Sequence, residues 1–214
     1  MVKKRNLSIQ KIIDMSISLI NEKGLEALTM RKLATKLNVQ ASAVYWHVKN
    51  KEELLQLLSI KISEKISYPN EELDWKLKLI HLAKQSRDAM NSIRNGPEIM
   101  MRTIPTDPYR LGLIEYMIKV LTEEGFTPLR SLEITNLLNN YTILFTIDEF
   151  IRIEQQNNPS TDEYIQAFWS NLSEKYPYFN EAIKSEVENQ KEDEVFQSGL
   201  IAILDGYELQ KIAD

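Results

Sequence analysis

The stretch LTMRKLATKLNVQASAVYWHVKNK, residues 28–51, reads as two short helices joined by a tight turn. Over Met30–Leu37, apolar or small residues recur at the i, i+3, i+4, i+7 spacing of one helical face. Asn38 interrupts that pattern, and asparagine enters the left-handed backbone region at little cost. A second helix is predicted over Ala41–His47, anchored by Val44. This arrangement is typical of a helix-turn-helix, whose second helix enters the major groove of DNA.

Polar and aromatic residues on both predicted helices suit contact with DNA. A recognition helix meets base edges with its first residues, and N–H or O–H side chains donate to phosphates. Asn50, with Glu53 three residues later, predicts a capping box at the start of the next helix. The pattern alone also allows a helical hairpin with a solvated basic face. The predicted DNA-binding residues are Thr29, Arg31, Lys32, Ala41, Ser42, Ala43, Tyr45, Trp46, His47 and Lys51.

The segment from Ile12 to Ile62 resembles the DNA-binding domain of the tetracycline-repressor (TetR) family. The resemblance is carried by NEKGLEALTMRKLATKLNV, residues 21–39, and by YWHVKNKEELL, residues 45–55. The YWHVKNK run is its most specific part. The later stretch FQSGLIAILDGYE, residues 196–208, resembles the closing interface helix of the same family. The resemblance therefore extends over the whole chain, and it implies a dimeric DNA-binding regulator.

Charge is distributed unevenly along the 214 residues, whose net charge is −5. Residues 1–66 hold 12 Lys and Arg against 6 Asp and Glu, a net charge of +6, whereas residues 67–214 carry −11. A basic head on an acidic body suits a protein that approaches DNA with one end. The chain has no Cys, which excludes disulfides and Cys-based zinc sites. The absence of a signal-peptide pattern and of long apolar runs predicts a cytoplasmic protein.

Long segments with helical periodicity, together with few Gly and Pro, predict an all-α protein. We expect residues 1–66 to form an N-terminal three-helix helix-turn-helix domain. Residues 67–214 should form a C-terminal helical domain that binds an effector and dimerises, with the boundary at Ser67–Asp74. The predicted helices are Ser8–Gly24, the two of the helix-turn-helix, Lys51 to about Ile66, Asp74 to about Arg94, Glu98–Arg102, Asp107-Pro108 to Gly125, Thr127-Pro128 to about Asn157, Ser160 to Tyr176-Pro177, and Asp193 to about Ile212.

Two of the predicted body helices are apolar around most of their circumference, so they must be covered on every side. Two such helices from each of two subunits would form a four-helix interface about a two-fold axis. A thicker monomer core is the alternative. The predicted interface residues are Leu137, Tyr141, Leu144, Phe196, Leu200, Ile203 and Tyr207.

The resemblance implies a small-molecule pocket in the C-terminal domain. Candidate lining residues are those where polar groups interrupt apolar helices. Asp148 and Glu149 could equally be carboxylates at the rim of an interface. The predicted ligand-binding residues are His81, Gln85, Met100, Thr103, Asn139, Asp148 and Glu149.

The effector should differ from that of the tetracycline-binding members of the family. Those members coordinate drug-bound magnesium partly through a His on a short helix, and Met100 occupies the corresponding position here. A soft thioether is poorly matched to a hard, oxygen-preferring cation. Residues that grip the drug there correspond to Leu82 and Ser86, although Thr103 is retained. We therefore expect that magnesium-tetracycline is not the effector, and we predict no cofactor and no metal site.

The recognition helix also departs from the tetracycline-binding members, because Ala41-Ser42-Ala43 stands where those members have Gln-Pro-Thr. Gln can bond adenine through two hydrogen bonds, whereas Ala offers only a methyl group to thymine. The operator should therefore be a different inverted repeat.

Catalytic motifs are not found. The chain has two His and no Cys, and it lacks a glycine-rich phosphate loop, a His-Glu metal pair and a GxSxG elbow. No catalytic residue is predicted, and we expect no enzyme. The predicted function is a dimeric repressor that a small molecule releases from a palindromic operator. The alternative is a DNA-binding dimer without a small-molecule effector.

Overall fold

The computed structural model describes residues 7–156, 175–188 and 191–213, and regular structure within these ranges is helical. Residues up to Ile147 form one compact unit, and those from Asp148 onward form a second. In the described ranges, none of the helices has the length and apolar character that crossing a membrane requires. The α-helices there are α1 (Ile9–Lys23), α2 (Met30–Leu37), α3 (Ala41–His47), α4 (Lys51–Ser63), α5 (Trp75–Asn91), α6 (Gly96–Met101), α7 (Pro108–Glu123), α8 (Pro128–Gln156), α9 (Pro177–Glu188) and α10 (Glu192–Ala213).

Three helices of the head begin at side-chain caps, and the one at Asn50 is the cap predicted from the sequence. The side-chain oxygens of Ser8, Thr29 and Asn50 accept the backbone N–H three residues later, at 3.3, 3.2 and 2.7 Å. Each bond satisfies a donor that the first helical turn would otherwise leave unpaired. The Glu53 carboxylate accepts the backbone N–H of Lys49 at 2.6 Å, one residue before the cap. The predicted capping box is therefore present in a form displaced by one residue.

The turn between α2 and α3 is built on Asn38, which has the left-handed backbone angles φ 55° and ψ 49°. The N–H groups of Asn38 and Val39 donate to the carbonyls of Thr35 and Ala34, both at 3.0 Å. These two bonds satisfy the last carbonyls of α2 in a Schellman arrangement. The chain then turns sharply enough for Val44 of α3 to be fully buried. The predicted helix-turn-helix is confirmed in its helix bounds and in its turn.

The apolar helix α4 belongs to the head and to the first part of the body at once. Leu54, Leu58 and Ile62 are fully buried along its length. They share one hydrophobic core with the head helices, with Met90 of α5 and with Ile99 of α6. The core therefore continues across the predicted domain boundary, and residues on both sides of that boundary pack in the first compact unit.

Some predicted bounds need correction. Helix α4 ends at Ser63 rather than near Ile66, and α5 ends at Asn91 rather than near Arg94. The short helix begins at Gly96 instead of Glu98, because Pro97 fits the first turn of a helix, where its missing N–H costs nothing.

One predicted helix bound in the second compact unit, at Pro177, also needs correction. Most of the helix predicted from Ser160 to Tyr176-Pro177 lies outside the described residues. Pro177, interpreted as its end, is instead the first residue of α9, in keeping with the fit of proline to a first helical turn.

Two asparagines join the head to the loop between α5 and α6. The Asn95 side-chain oxygen accepts the N–H of Leu25 at 3.1 Å. The backbone of Asn95 is in the left-handed region, with φ 59°. The Asn21 side-chain oxygen accepts the N–H of Arg94 at 2.9 Å. These bonds join positions about seventy residues apart, so they hold the end of α1 against the loop between α5 and α6.

The loop between α6 and α7 is held by Arg110, which is buried. Its Nε donates to the Asp107 carboxylate at 2.8 Å and its Nη1 to the Thr103 hydroxyl at 3.1 Å, while Nη2 donates to the Ile104 carbonyl. Gln56 of α4 donates to the same Ile104 carbonyl at 2.7 Å. Burial alone would raise the pKa of Asp107, but the hydrogen bonds and charge of Arg110 outweigh it and hold that pKa below its ordinary value of 3.8.

The left-handed turn residue gives a test at a single position. Replacing Asn38 by Ala should lower the free energy of unfolding by about 1 kcal/mol, because a side chain without local hydrogen bonding is strained in this region. Asn38→Gly should stay within about 0.5 kcal/mol of the parent, since glycine adopts the conformation freely. Urea denaturation of the full chain measures both. Equal losses in the two variants would contradict the assigned backbone conformation.

The Asp107–Arg110 pair predicts a dependence of stability on pH. A lowered folded-state pKa stabilises the protein above the ordinary value of 3.8, and that contribution disappears as pH falls through the lowered pKa. Asp107→Asn keeps a capping oxygen but removes the charge, so it should cost about 2 kcal/mol near neutral pH. The difference from the parent should shrink below the ordinary pKa. Urea denaturation across the acid range measures it, and a constant difference at every pH would contradict the ion pair.

Candidate functional site

The exposed face of α3 is aromatic and polar rather than charged. Trp46 is 82% exposed and Tyr45 is 48% exposed, and the ring of Trp46 meets that of His47 edge-on with centroids 4.7 Å apart. Ser42 is exposed at the start of the helix. Ala41, in contrast, is half-buried against the hydrophobic core, which limits the methyl surface it can offer to a base.

The cations around this face are available for an anionic partner. Arg31, Lys32 and Lys51 have no carboxylate within ion-pair distance in the described part of the chain. Lys36 differs, because it is paired with Glu22 of α1, whose pKa the Lys36 hydrogen bond lowers. The geometry thus separates cations free to meet phosphate from one already neutralised. Contacts of the ten predicted residues with individual bases and phosphates stay predictions.

A cavity of about 230 Å³ lies in the first compact unit, bounded by α4, α5, α6, α7 and the first half of α8. Most of its lining is apolar, and its polar groups are mainly amides and hydroxyls. The lining residues are Ile62, Ser63, Ile66, Leu82, Ser86, Met90, Met100, Thr103, Pro105, Arg110, Leu113, Ile114, Met117, Asn136, Asn139, Asn140, Thr142 and Ile143.

Three of the seven predicted ligand-binding residues line this cavity, namely Met100, Thr103 and Asn139. The other four lie elsewhere. Two of them, His81 and Gln85, lie beside Ser67. The Ser67 hydroxyl donates to the Gln85 side chain at 2.7 Å, and Nε2 of His81 lies 3.2 Å from the Ser67 carbonyl.

The remaining two predicted ligand residues, Asp148 and Glu149, belong to the second compact unit and are not among the lining residues. Asp148 is exposed and Glu149 is buried. Their position inside an apolar run therefore did not identify residues that line this cavity.

Sequence reasoning missed two parts of the lining. Asn136 and Asn140 lie one helical turn apart on the same face of α8 as Asn139, and this spacing was visible in the sequence. Ile62 and Ser63, at the end of α4, carried no such signal. They reach the cavity only because α4 packs against the body.

The predicted dimer residues divide by burial. Leu137 and Leu144 of α8 are 41% and 54% exposed, and three others are half-buried. Phe196 and Leu200 of α10 are completely buried in the single chain, so they have no surface left to offer a second subunit. Their burial favours the alternative of a core role for these two. The sequence does not separate the two roles, because an apolar helix face has the same pattern in a core and in an interface.

Comparison with known proteins agrees with this geometry. The family model described as "Bacterial regulatory proteins, tetR family" matches residues 12–58, and the model described as "Tetracyclin repressor-like, C-terminal domain" matches residues 68–210. The class G tetracycline repressor protein of Vibrio anguillarum is 31% identical over 206 residues, covering 94% of each chain.

Solved structures give the same result. A single-residue variant of TetR from Acinetobacter baumannii AYE, in complex with minocycline, superposes with a TM-score of 0.73 at 28% identity, covering 95% of this chain and 98% of that one. Mycobacterium smegmatis BioQ shares the fold. It superposes with a TM-score of 0.73 at 20% identity, covering 94% of this chain and 97% of that one. These matches cover the helix-turn-helix and the cavity alike, and the chain belongs to the tetR family of bacterial regulatory proteins, which are ligand-responsive DNA-binding transcriptional regulators.

Proposed function

We propose that this chain is a homodimeric repressor that leaves an inverted-repeat operator when a small molecule fills the cavity. Residues 1–66 act as the DNA-binding domain and residues 67–214 as the effector-binding and dimerisation domain. The protein works in the cytoplasm as a regulator and not as an enzyme.

The observation that carries this proposal is the position of α4. Its first residue, Lys51, follows the recognition helix, whereas Ile62 and Ser63 at its other end line the cavity. Thirteen residues span about 20 Å at the rise of an α-helix. A ligand that displaces the cavity end of such a rigid element also moves its DNA-facing end.

A second connection runs through the loop after α6. Thr103 lines the cavity, and Arg110 bonds both Thr103 and Ile104. Gln56 of α4 donates to the Ile104 carbonyl and to the Thr106 hydroxyl, at 2.7 and 3.1 Å. Changes at the cavity wall therefore reach the middle of α4 as well as its end.

Release from DNA requires that the effector discriminate between two arrangements of the heads. A ligand with equal affinity for both would shift nothing, however tightly it bound. A ligand that fits the cavity only when α4 is displaced meets this condition.

The chemistry of the lining supports an effector other than magnesium-tetracycline. Met100 presents a thioether to the cavity, and neither imidazole nor carboxylate occurs among the described lining residues. Magnesium prefers oxygen ligands, above all carboxylates. His81 is held at the Ser67 carbonyl and does not replace the missing imidazole.

The alternative function is a DNA-binding dimer without an effector. The cavity favours the ligand-responsive protein, because an unused apolar space costs packing energy. A thermal-shift screen of metabolites separates the two, since a ligand that binds the native state raises the melting temperature.

DNA binding should distinguish Arg31 from Lys51. Selection from random duplexes should first yield an inverted repeat. Arg31→Ala should then cost about 1–3 kcal/mol on that site and relax the preference at one base. Lys51→Ala should weaken all sequences alike and lower the salt slope by about 1, because it removes one phosphate contact. Fluorescence anisotropy over a salt series measures both effects.

Lys119→Ala serves as the charge-matched control. Lys119 is exposed on α7 and lies 3.7 Å from the Glu123 carboxylate, outside the helix-turn-helix. It should leave affinity and salt slope unchanged. Identical losses and slopes for the Arg31 and Lys51 variants would contradict the division of roles, and the absence of any selected palindrome would contradict the proposed function.

Tetracycline binding tests the effector proposal. With magnesium present, the parent protein should show no saturable binding at sub-micromolar tetracycline. Met100→His restores an imidazole at the cavity wall and should raise the magnesium-dependent affinity by about tenfold, or ~1.4 kcal/mol. Fluorescence titration of the drug reports both. Sub-micromolar binding by the parent would overturn the proposal that another molecule is the effector.

A further inference from the structure

We propose that the effector is a compact, uncharged ring compound whose amide, hydroxyl or keto groups bond the asparagines of α8. This inference rests on the proposed function, because it assigns a chemical class to the ligand of the same cavity. The wall concerned consists of Asn136, Asn139 and Asn140, which lie on one face of α8.

The cavity offers no charge that an anion could use. Arg110 is the charged residue among the described lining, and its guanidinium already bonds the Asp107 carboxylate at 2.8 Å and the Thr103 hydroxyl at 3.1 Å. A carboxylate or phosphate ligand would lose its hydration and meet a cation that is already neutralised. Moving an ion from water to an apolar wall without a partner is costly, even though Asn136 and Asn140 of the α8 wall are themselves exposed.

A cationic ligand meets a similar obstacle. No carboxylate occurs in the described lining, and Asp107, the acidic partner of Arg110, is only 4% exposed. An ammonium group in the cavity would therefore have amide and hydroxyl oxygens but no counter-charge. An uncharged ligand avoids both costs.

The three asparagines remain available to a ligand. Their side-chain amides make no hydrogen bond within the residues that the structure describes. The two threonine hydroxyls of the lining are occupied, since Thr142 donates to the Leu138 carbonyl at 2.8 Å and Thr103 to the Ile99 carbonyl at 2.9 Å. Each amide offers both donors and an acceptor, which matches neutral polar groups.

The methionines of the lining and the volume of the cavity favour a small ring compound. Met90, Met100 and Met117 contribute adaptable thioethers, whose sulfurs make favourable contacts with aromatic rings. The volume of about 230 Å³ falls below the range of roughly 300–1,000 Å³ found for drug-sized ligands. A small ring system with polar groups on one edge fits both the apolar wall and the amide wall.

A matched set of three probes tests the charge preference. Naphthamide, naphthoate and naphthylmethylamine share one ring system and differ in being neutral, anionic and cationic near neutral pH. Isothermal titration of the full-length dimer should give naphthamide an affinity at least about tenfold higher than either ion. Equal or tighter binding of either ion would overturn the proposal, and so would the failure of all three to bind.

Variants of α8 locate the binding. Asn139→Ala should weaken naphthamide several-fold, whereas Asn180→Ala, outside the cavity lining, should leave it unchanged. Asn139→Asp supplies a counter-charge and should reverse the preference in favour of naphthylmethylamine. Naphthamide binding that ignores both Asn139 variants would overturn the assigned site.

The outcome is separable from that of the proposed function. Sequence-specific DNA binding by the same preparation keeps the repressor assignment in place even if the probe preference fails. Conversely, if the protein binds naphthamide selectively but selects no palindrome, the proposed ligand class stands and the proposed repressor function is contradicted.

Discussion

The structure depends on the burial of one helix by two different sets of neighbours. Leu54, Leu58 and Ile62 of α4 are completely buried, and the core that contains them reaches from the head helices to α5 and α6. Removing such side chains from water is the main stabilising contribution, at about 25 cal/mol per Å² of apolar surface. Because interiors are closely packed, α4 cannot shift at one end without repacking at the other.

Hydrogen bonds add direction to this apolar contact. Asn21 and Asn95 each accept one bond between the head and a loop of the body, and Gln56 donates two bonds from α4 to the loop after α6. Each contributes little to stability on its own, on the order of 1 kcal/mol. Their value lies in geometry, because they fix where the ends of α5 and α6 stand relative to α1 and α4.

One structural relative of this chain was solved with a bound drug. The chain superposes on a TetR variant from Acinetobacter baumannii AYE, in complex with minocycline, with a TM-score of 0.73. Even so, the cavity of this chain presents amides and thioethers, and its buried arginine is already paired with Asp107. A fold of this kind supplies a space between helices, whereas the few polar groups that line the space decide what binds there.

The sequence by itself determined the local features: the caps at Ser8, Thr29 and Asn50, the left-handed turn at Asn38, and the start of α7 at Pro108. Such features depend on residues within one helical turn, so they can be predicted without knowing the rest of the chain. Only the tertiary structure decided the cavity, since Ser63 and Asn136 meet there across a long separation in the chain. It also shows that Phe196 is buried within its own chain. The sequence could not show this, because an apolar helix face has the same pattern whether its own chain or a second one covers it.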